Sequence, residues 1–85
     1  MTEHIVYSYN ENLHQLYEDF QNKMKYKLQQ ENFSIKHCYI IGPLPDAQLY
    51  LDIFRLPDRK LIQGYLKIQS HIENGIYYMR IRFEI

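Results

Sequence analysis

The groups with which this chain could do covalent or acid–base chemistry are one cysteine, four histidines and ten carboxylates. Cys38 has His37 beside it, but neighbours on an extended chain point to opposite faces, which keeps the imidazole away from the thiol. No other group nearby would activate the thiol, and a buried structural cysteine is the plainer reading. His4, His14, His37 and His71 lack the H-x3-H or C-x2-C spacing that presents two ligands to one metal. Asp46 and Asp58 sit beside prolines, where aspartate serves turns. Asp52 lies within a strand between Tyr50 and Phe54 and reads as a solvated carboxylate of the outer face. Gly42, Gly64 and Gly75 are isolated, and none opens a helix as a phosphate-cradling loop would. The expectation is a protein without catalytic residues, metal ligands or cofactor, hence not an enzyme.

The composition describes what must hold any surface in place. Eighty-five residues suffice for one domain spanning 1–85, and a 46% hydrophobic fraction is enough for one core. Ten basic residues balance ten acidic ones, so there is no bulk electrostatic case for duplex DNA or an anionic membrane. A lone cysteine makes no internal disulfide. Met1 to His4 lack a basic region followed by an apolar run, so no signal peptide is expected. No stretch approaches the ~18 apolar residues of a membrane helix. Cytoplasmic residence is the expectation. Nine tyrosines with frequent Ile, Lys and Asn suit an AT-rich genome, such as that of a low-GC bacterium or its phage.

Local patterns divide the chain into six elements. Residues 4 to 9 alternate as a short strand, with Ile5, Tyr7 and Tyr9 on one face and Val6 on the other. Asn10 or Asn12 can cap a helix over about 11 to 31. Its apolar stripe is Leu13, Leu16, Tyr17, Phe20, Met24 and Leu28, and Asp19 and Lys23 stand at a favourable i,i+4 spacing. From Ser34 the period changes to two. Strands follow at Ile35–Ile41, Gln48–Arg55, Lys60–Glu73 and Ile76–Ile85, separated by Gly42–Asp46, Leu56–Arg59 and the Asn74-Gly75 turn.

Asn-Gly favours a two-residue hairpin because both corners need positive φ. Pairs then sum to 149, which sets Ile72 against Tyr77, Ile68 against Ile81, Leu66 against Phe83 and Gly64 against Ile85. The other face pairs His71 with Tyr78, Gln69 with Arg80, Lys67 with Arg82 and Tyr65 with Glu84. A two-residue loop at Pro57-Asp58 extends this parity, with Ile53 against Ile62 and Leu49 against Leu66. Gly64 reads as a bend or a close-packing point for the helix, and Phe20 and Leu66 as members of one core. The fold expected is α+β, one long N-terminal helix on one face of a four- to five-stranded antiparallel sheet, in the order β-α-β-β-β-β. In element order and length this resembles a cystatin-like roll, whose bent sheet wraps one helix. None of the cystatins' binding motifs is present, so the resemblance implies no function. A helix on a simple meander is the alternative.

One helix covers one sheet face, and the other should present Tyr50, Asp52, Phe54, Tyr65, Lys67, Tyr78, Arg80 and Arg82, with Glu84 as a further counter-charge. Aromatics with arginine suit a protein contact, whether a partner protein or a second copy forming a homodimer. The expected role is that of an adaptor, inhibitor or regulator. Aromatics interleaved with basic groups also suit single-stranded nucleic acid, the alternative partner. A small-molecule pocket inside a curved sheet comes third. Lys67 opposite Arg82 favours an acidic group on the partner. Tyr26, on the helix side opposite Met24, is a second place for a contact. The plainer reading of the tyrosines is strand propensity, with residues 1 to 10 covering the face.

Overall fold

A computed structural model describes residues 2–85. The elements are β1 (Glu3–Asn10), α1 (Leu13–Gln30), β2 (Phe33–Ile41), β3 (Gln48–Arg55), β4 (Lys60–Lys67), β5 (Gln69–Glu73) and β6 (Ile76–Glu84). The fold is α+β, one helix on antiparallel sheets. The strands form two three-stranded sheets, β2-β3-β4 and β1-β6-β5, where one sheet was expected.

Both asparagines ahead of α1 hold its start. Asn12 Oδ1 accepts from Gln15 N–H at 2.9 Å, and Asn10 Oδ1 accepts from Asn12 N–H at 2.8 Å. Leu16, Phe20, Met24 and Leu28 are buried, as the 3.6-residue stripe requires. The Asp19–Lys23 pair does not form. Asp19 accepts from Gln15, while Lys23 reaches across to donate to the Tyr7 carbonyl at 3.1 Å.

That donation reflects where the helix lies. β1 and β2 are outer strands of their respective sheets, and α1 packs against both of them and against β6. Gln21 Oε1 accepts the Ile40 N–H of β2 at 2.8 Å, as Lys23 serves Tyr7 on β1. Helix side chains thus occupy edge groups that would otherwise template another strand.

The last hairpin turns at Asn74-Gly75, with φ of 52° and 77°, and its pairs run from Glu73↔Ile76 to Gln69↔Arg80. Pairing of this run with β6 stops there. β4 pairs with β3 instead, Leu49 against Leu66 and Ile53 against Ile62, through a four-residue loop that keeps the expected register. The pairs expected beyond Gln69, including Leu66 with Phe83, Lys67 with Arg82 and Tyr65 with Glu84, are therefore not made. Ile68, 1% exposed, stands at the break, and its N–H goes to Ala47 C=O. The physical reason is closure. A flat sheet would meet α1 only along its middle strands, whereas splaying β4 from β6 lets both outer strands reach the helix.

The corner at Ile68 also settles Gly64. A Cβ there would meet nothing within 4 Å, so it is not a close-packing point. The core joins the helix stripe to Leu49, Leu51, Ile53, Ile68, Met79 and Ile81. Leu66 packs against this core but is only partly buried. β1 pairs with β6 along its whole length, from Glu3↔Glu84 to Asn10↔Tyr77. Residues 3 to 10 are thus a strand beside the sheet face, not a cover over it.

Candidate interaction surface

The outer face of β2-β3-β4 is built by alternation. Leu49, Leu51 and Ile53 turn in, which sends Tyr50, Asp52 and Phe54 out. Across β4 the outward residues are Leu61, Gln63, Tyr65 and Lys67, fixed by the register with β3. β2 needs a bulge to join them. Phe33 and Ile35 point inward at odd positions, Lys36 is the extra residue, and from there Cys38 and Ile40 turn in while His37 and Tyr39 turn out.

The result is a row of three tyrosines across three strands. Tyr39 pairs with Tyr50 and Tyr50 with Tyr65, with ring centroids 5.3 and 5.2 Å apart. Those spacings and the tilted planes are favourable aromatic contacts. Tyr39 is 44% and Tyr65 59% exposed. His37, Asp52 and Gln63 form the next row, and the His37 ring meets Tyr39 edge-on at 6.2 Å. Partial desolvation, then the charge of Asp52, then the two flanking tyrosines raise the Tyr50 phenol above its ordinary pKa. Asp52 itself departs from expectation. It is 3% exposed, and its Oδ1 has no hydrogen-bond partner. Large neighbours on a central strand close over the short side chain.

The remaining residues expected on this face lie on the other sheet. Tyr78, Arg80, Arg82 and Glu84 point outward from β6. His71, the partner of Tyr78, is six residues along the strand run from Tyr65, about 20 Å at the rise of an extended chain. The expected single surface is therefore two. Tyr50, Asp52, Phe54, Tyr65 and Lys67 belong to one, and Tyr78, Arg80 and Arg82 to the other.

On this second wing Tyr78 stacks on His71, with ring planes 2° apart and centroids at 4.5 Å, and meets Tyr9 at 5.8 Å. Arg80 donates to the Gln69 side chain, and Arg82 Nε lies 3.4 Å from Glu3 Oε1. A cleft of about 490 Å³ is lined in part by Tyr7, Gln69, His71, Tyr78 and Arg80. Lys67 and Arg82 do not face each other, so no like-charge pair calls for an acidic partner. Lys67 faces Gln48, and Arg82 faces Ile5 with Glu3 close by.

Tyr39 and His37 were not anticipated as part of the surface, and neither were Tyr7 and Tyr9. Alternation around Cys38 is the signal for the first pair, and the pairing of β1 with β6 brings in the second. Cys38 is buried in the core, where burial pushes its thiol up to about 11 against a weaker opposing pull from Lys25. Such a thiol is inert at neutral pH. Among the described residues no three His, Cys, Asp or Glu side chains are grouped to hold a metal ion, and no helix is long and apolar enough to cross a membrane. Comparison with known proteins finds no matching family model, no matching curated protein and no matching solved structure.

Proposed function

We propose that this chain is a small non-enzymatic cytoplasmic binding protein, an adaptor, inhibitor or regulator, that docks a partner protein on the outer face of β2-β3-β4. The observation that carries this is the Tyr39–Tyr50–Tyr65 row, three contacting rings on the sheet side away from the helix. Tyrosine offers large rigid contact area at small entropic cost and is enriched among binding hot spots. Charge supports a protein over a polyanion on this face. Lys67 is its outward cation and Asp52 its anion, so there is no basic track for phosphates to follow. Homodimerisation is a version of the same reading in which the partner is a second copy.

The test is differential retention from a lysate of the source organism on columns of the wild-type chain and of Tyr65→Ala. Tyr65 is exposed, so its loss should leave the circular dichroism unchanged. The expected outcome is a protein held by the first column and lost from the second, with affinity reduced by about 2 kcal/mol, as for a hot-spot residue. Equal retention on both columns would remove this face as the site. Self-association of the wild-type chain, abolished in Tyr65→Ala, would identify the partner as a second copy.

A second reading draws on the other wing. The stacked Tyr78–His71 pair beside Arg80 has the composition of a site for single-stranded nucleic acid. It requires oligonucleotide binding that falls steeply with salt and is lost in Tyr78→Ala.

A further inference from the structure

Among the described residues Asp52 is the buried carboxylate, and the ion pairs of this chain leave it out. Arg55 pairs with Asp58, Lys27 with Glu31 and Arg82 with Glu3, while Asp52 has no cation and its Oδ1 no donor. A buried carboxylate oxygen without a donor is costly in the folded state. Alternation sends this one outward, into the row beside the tyrosines. The side chains on either side are exposed His37 and Gln63, and along β3 they are Tyr50 and Phe54. None is a fixed cation. Lys67 lies two rows away, opposite Gln48.

We infer that Asp52 is the anchor for a cationic side chain of the docked partner, an arginine whose guanidinium stacks on a ring of the Tyr39–Tyr50–Tyr65 row and donates to the Asp52 carboxylate in the next row. This rests on the docking face proposed above and names the chemistry it takes. Two independent features point the same way. The tyrosine faces attract a cation through their ring quadrupoles, and the unpartnered Oδ1 needs a donor. Arginine meets both needs at once, because its planar group stacks on a ring while its edge presents several N–H donors. An ammonium supplies the charge without the stacking plane. His37 and Gln63, both exposed, are the side chains that swing aside to admit the guanidinium.

The experiment is a titration of the ¹⁵N-labelled chain with the blocked peptide Ac-Gly-Arg-Val-Arg-Val-Arg-Gly-NH2, with its citrulline and lysine counterparts as comparisons. The expected result is saturable shifts confined to β2, β3 and β4 around His37, Asp52 and Gln63. Binding should weaken at least tenfold with citrulline and at least tenfold in Asp52→Asn, and measurably with lysine. The inference is overturned by the absence of saturable shifts at millimolar arginine peptide, by shifts centred on the other sheet, or by equal affinity in Asp52→Asn. Lysine binding as tight as arginine would overturn the guanidinium assignment. Should Asp52→Asn not fold, the arginine and citrulline arms on the wild-type chain decide alone. A native partner lost by Tyr65→Ala but held unchanged by Asp52→Asn would sink this inference and leave the docking face standing.

Discussion

A carboxylate oxygen closed off from water and left without a donor raises the free energy of the folded state, and Asp52 Oδ1 is such an atom. Asp52→Asn keeps the shape and removes the charge. It should stabilise the free protein by about 1 kcal/mol, which for a domain of this size lifts the melting temperature by roughly 4–8 °C. Calorimetry checks this, and a lower melting temperature would mean that the carboxylate is already satisfied in the free chain. Asp58 is the opposite case. The Arg55 guanidinium, 2.6 Å away, and then the Lys60 N–H hold its carboxyl below the usual range. A folded pKa below the unfolded one means stability that is full above the unfolded value of about 4 and lost as pH falls through the lowered one. The melting temperature of the wild type should therefore drop more between pH 5 and pH 2 than that of Asp58→Asn, and matching slopes would contradict this. At this scale the sequence made Tyr50 and Tyr65 legible, because alternation and the Pro57 turn fix the register of β3 with β4. Alternation around Cys38 turns Tyr39 and His37 outward but does not place them beside Tyr50. A loop as long as Gly42–Ala47 sets no register, and the bulge at Lys36 reverses the parity of β2 partway along.

Elements were legible wherever one period ran without interruption. The helix stripe, the Asn12 cap, the span of β3 and the Asn74-Gly75 turn all stand where spacing and turn chemistry put them. The division of the third strand at Ile68 was not visible. Ile62, Leu66 and Ile68 keep the same alternation straight through the corner, and alternation records only which face is buried, not which strand is alongside. The helix remains the element on which both sheets depend, since it meets an outer strand of each. Phe20 is fully buried at the centre of its stripe, in the one core the helix shares with both sheets. Phe20→Ala should cost about 3–5 kcal/mol, a large part of what a small domain has. Urea unfolding measures it, and an unchanged midpoint would put the helix stripe on the wrong side of the core.

At the scale of the whole molecule the chain is elongated, 45 × 22 × 17 Å, because two sheets sit end to end along the run from Lys60 to Glu73. Their outer faces differ in character. One is a tyrosine row beside a buried acid, the other a stacked Tyr–His pair among arginines. The sequence showed Tyr50 and Tyr65 of the one and Tyr78, Arg80 and Arg82 of the other but merged them, since the split at Ile68 leaves no mark on the alternation, and Tyr7 and Tyr9 joined the second face through a pairing of β1 with β6 beyond the reach of local pattern. A partner that docks on the first face must cover its tyrosines. Hydroxyl-radical footprinting reads this cover, applied to the chain alone and in complex with the protein retained by the wild-type column. Tyr7, Tyr9 and Tyr26 are at least as exposed as Tyr39 and Tyr65 but lie on β1 and the helix, so they serve as internal controls. Docking on this face should protect Tyr39, Tyr50 and Tyr65 and leave the three controls unchanged. Protection of Tyr7, Tyr9 or Tyr26, with the β2-β3-β4 row still fully reactive, would contradict it.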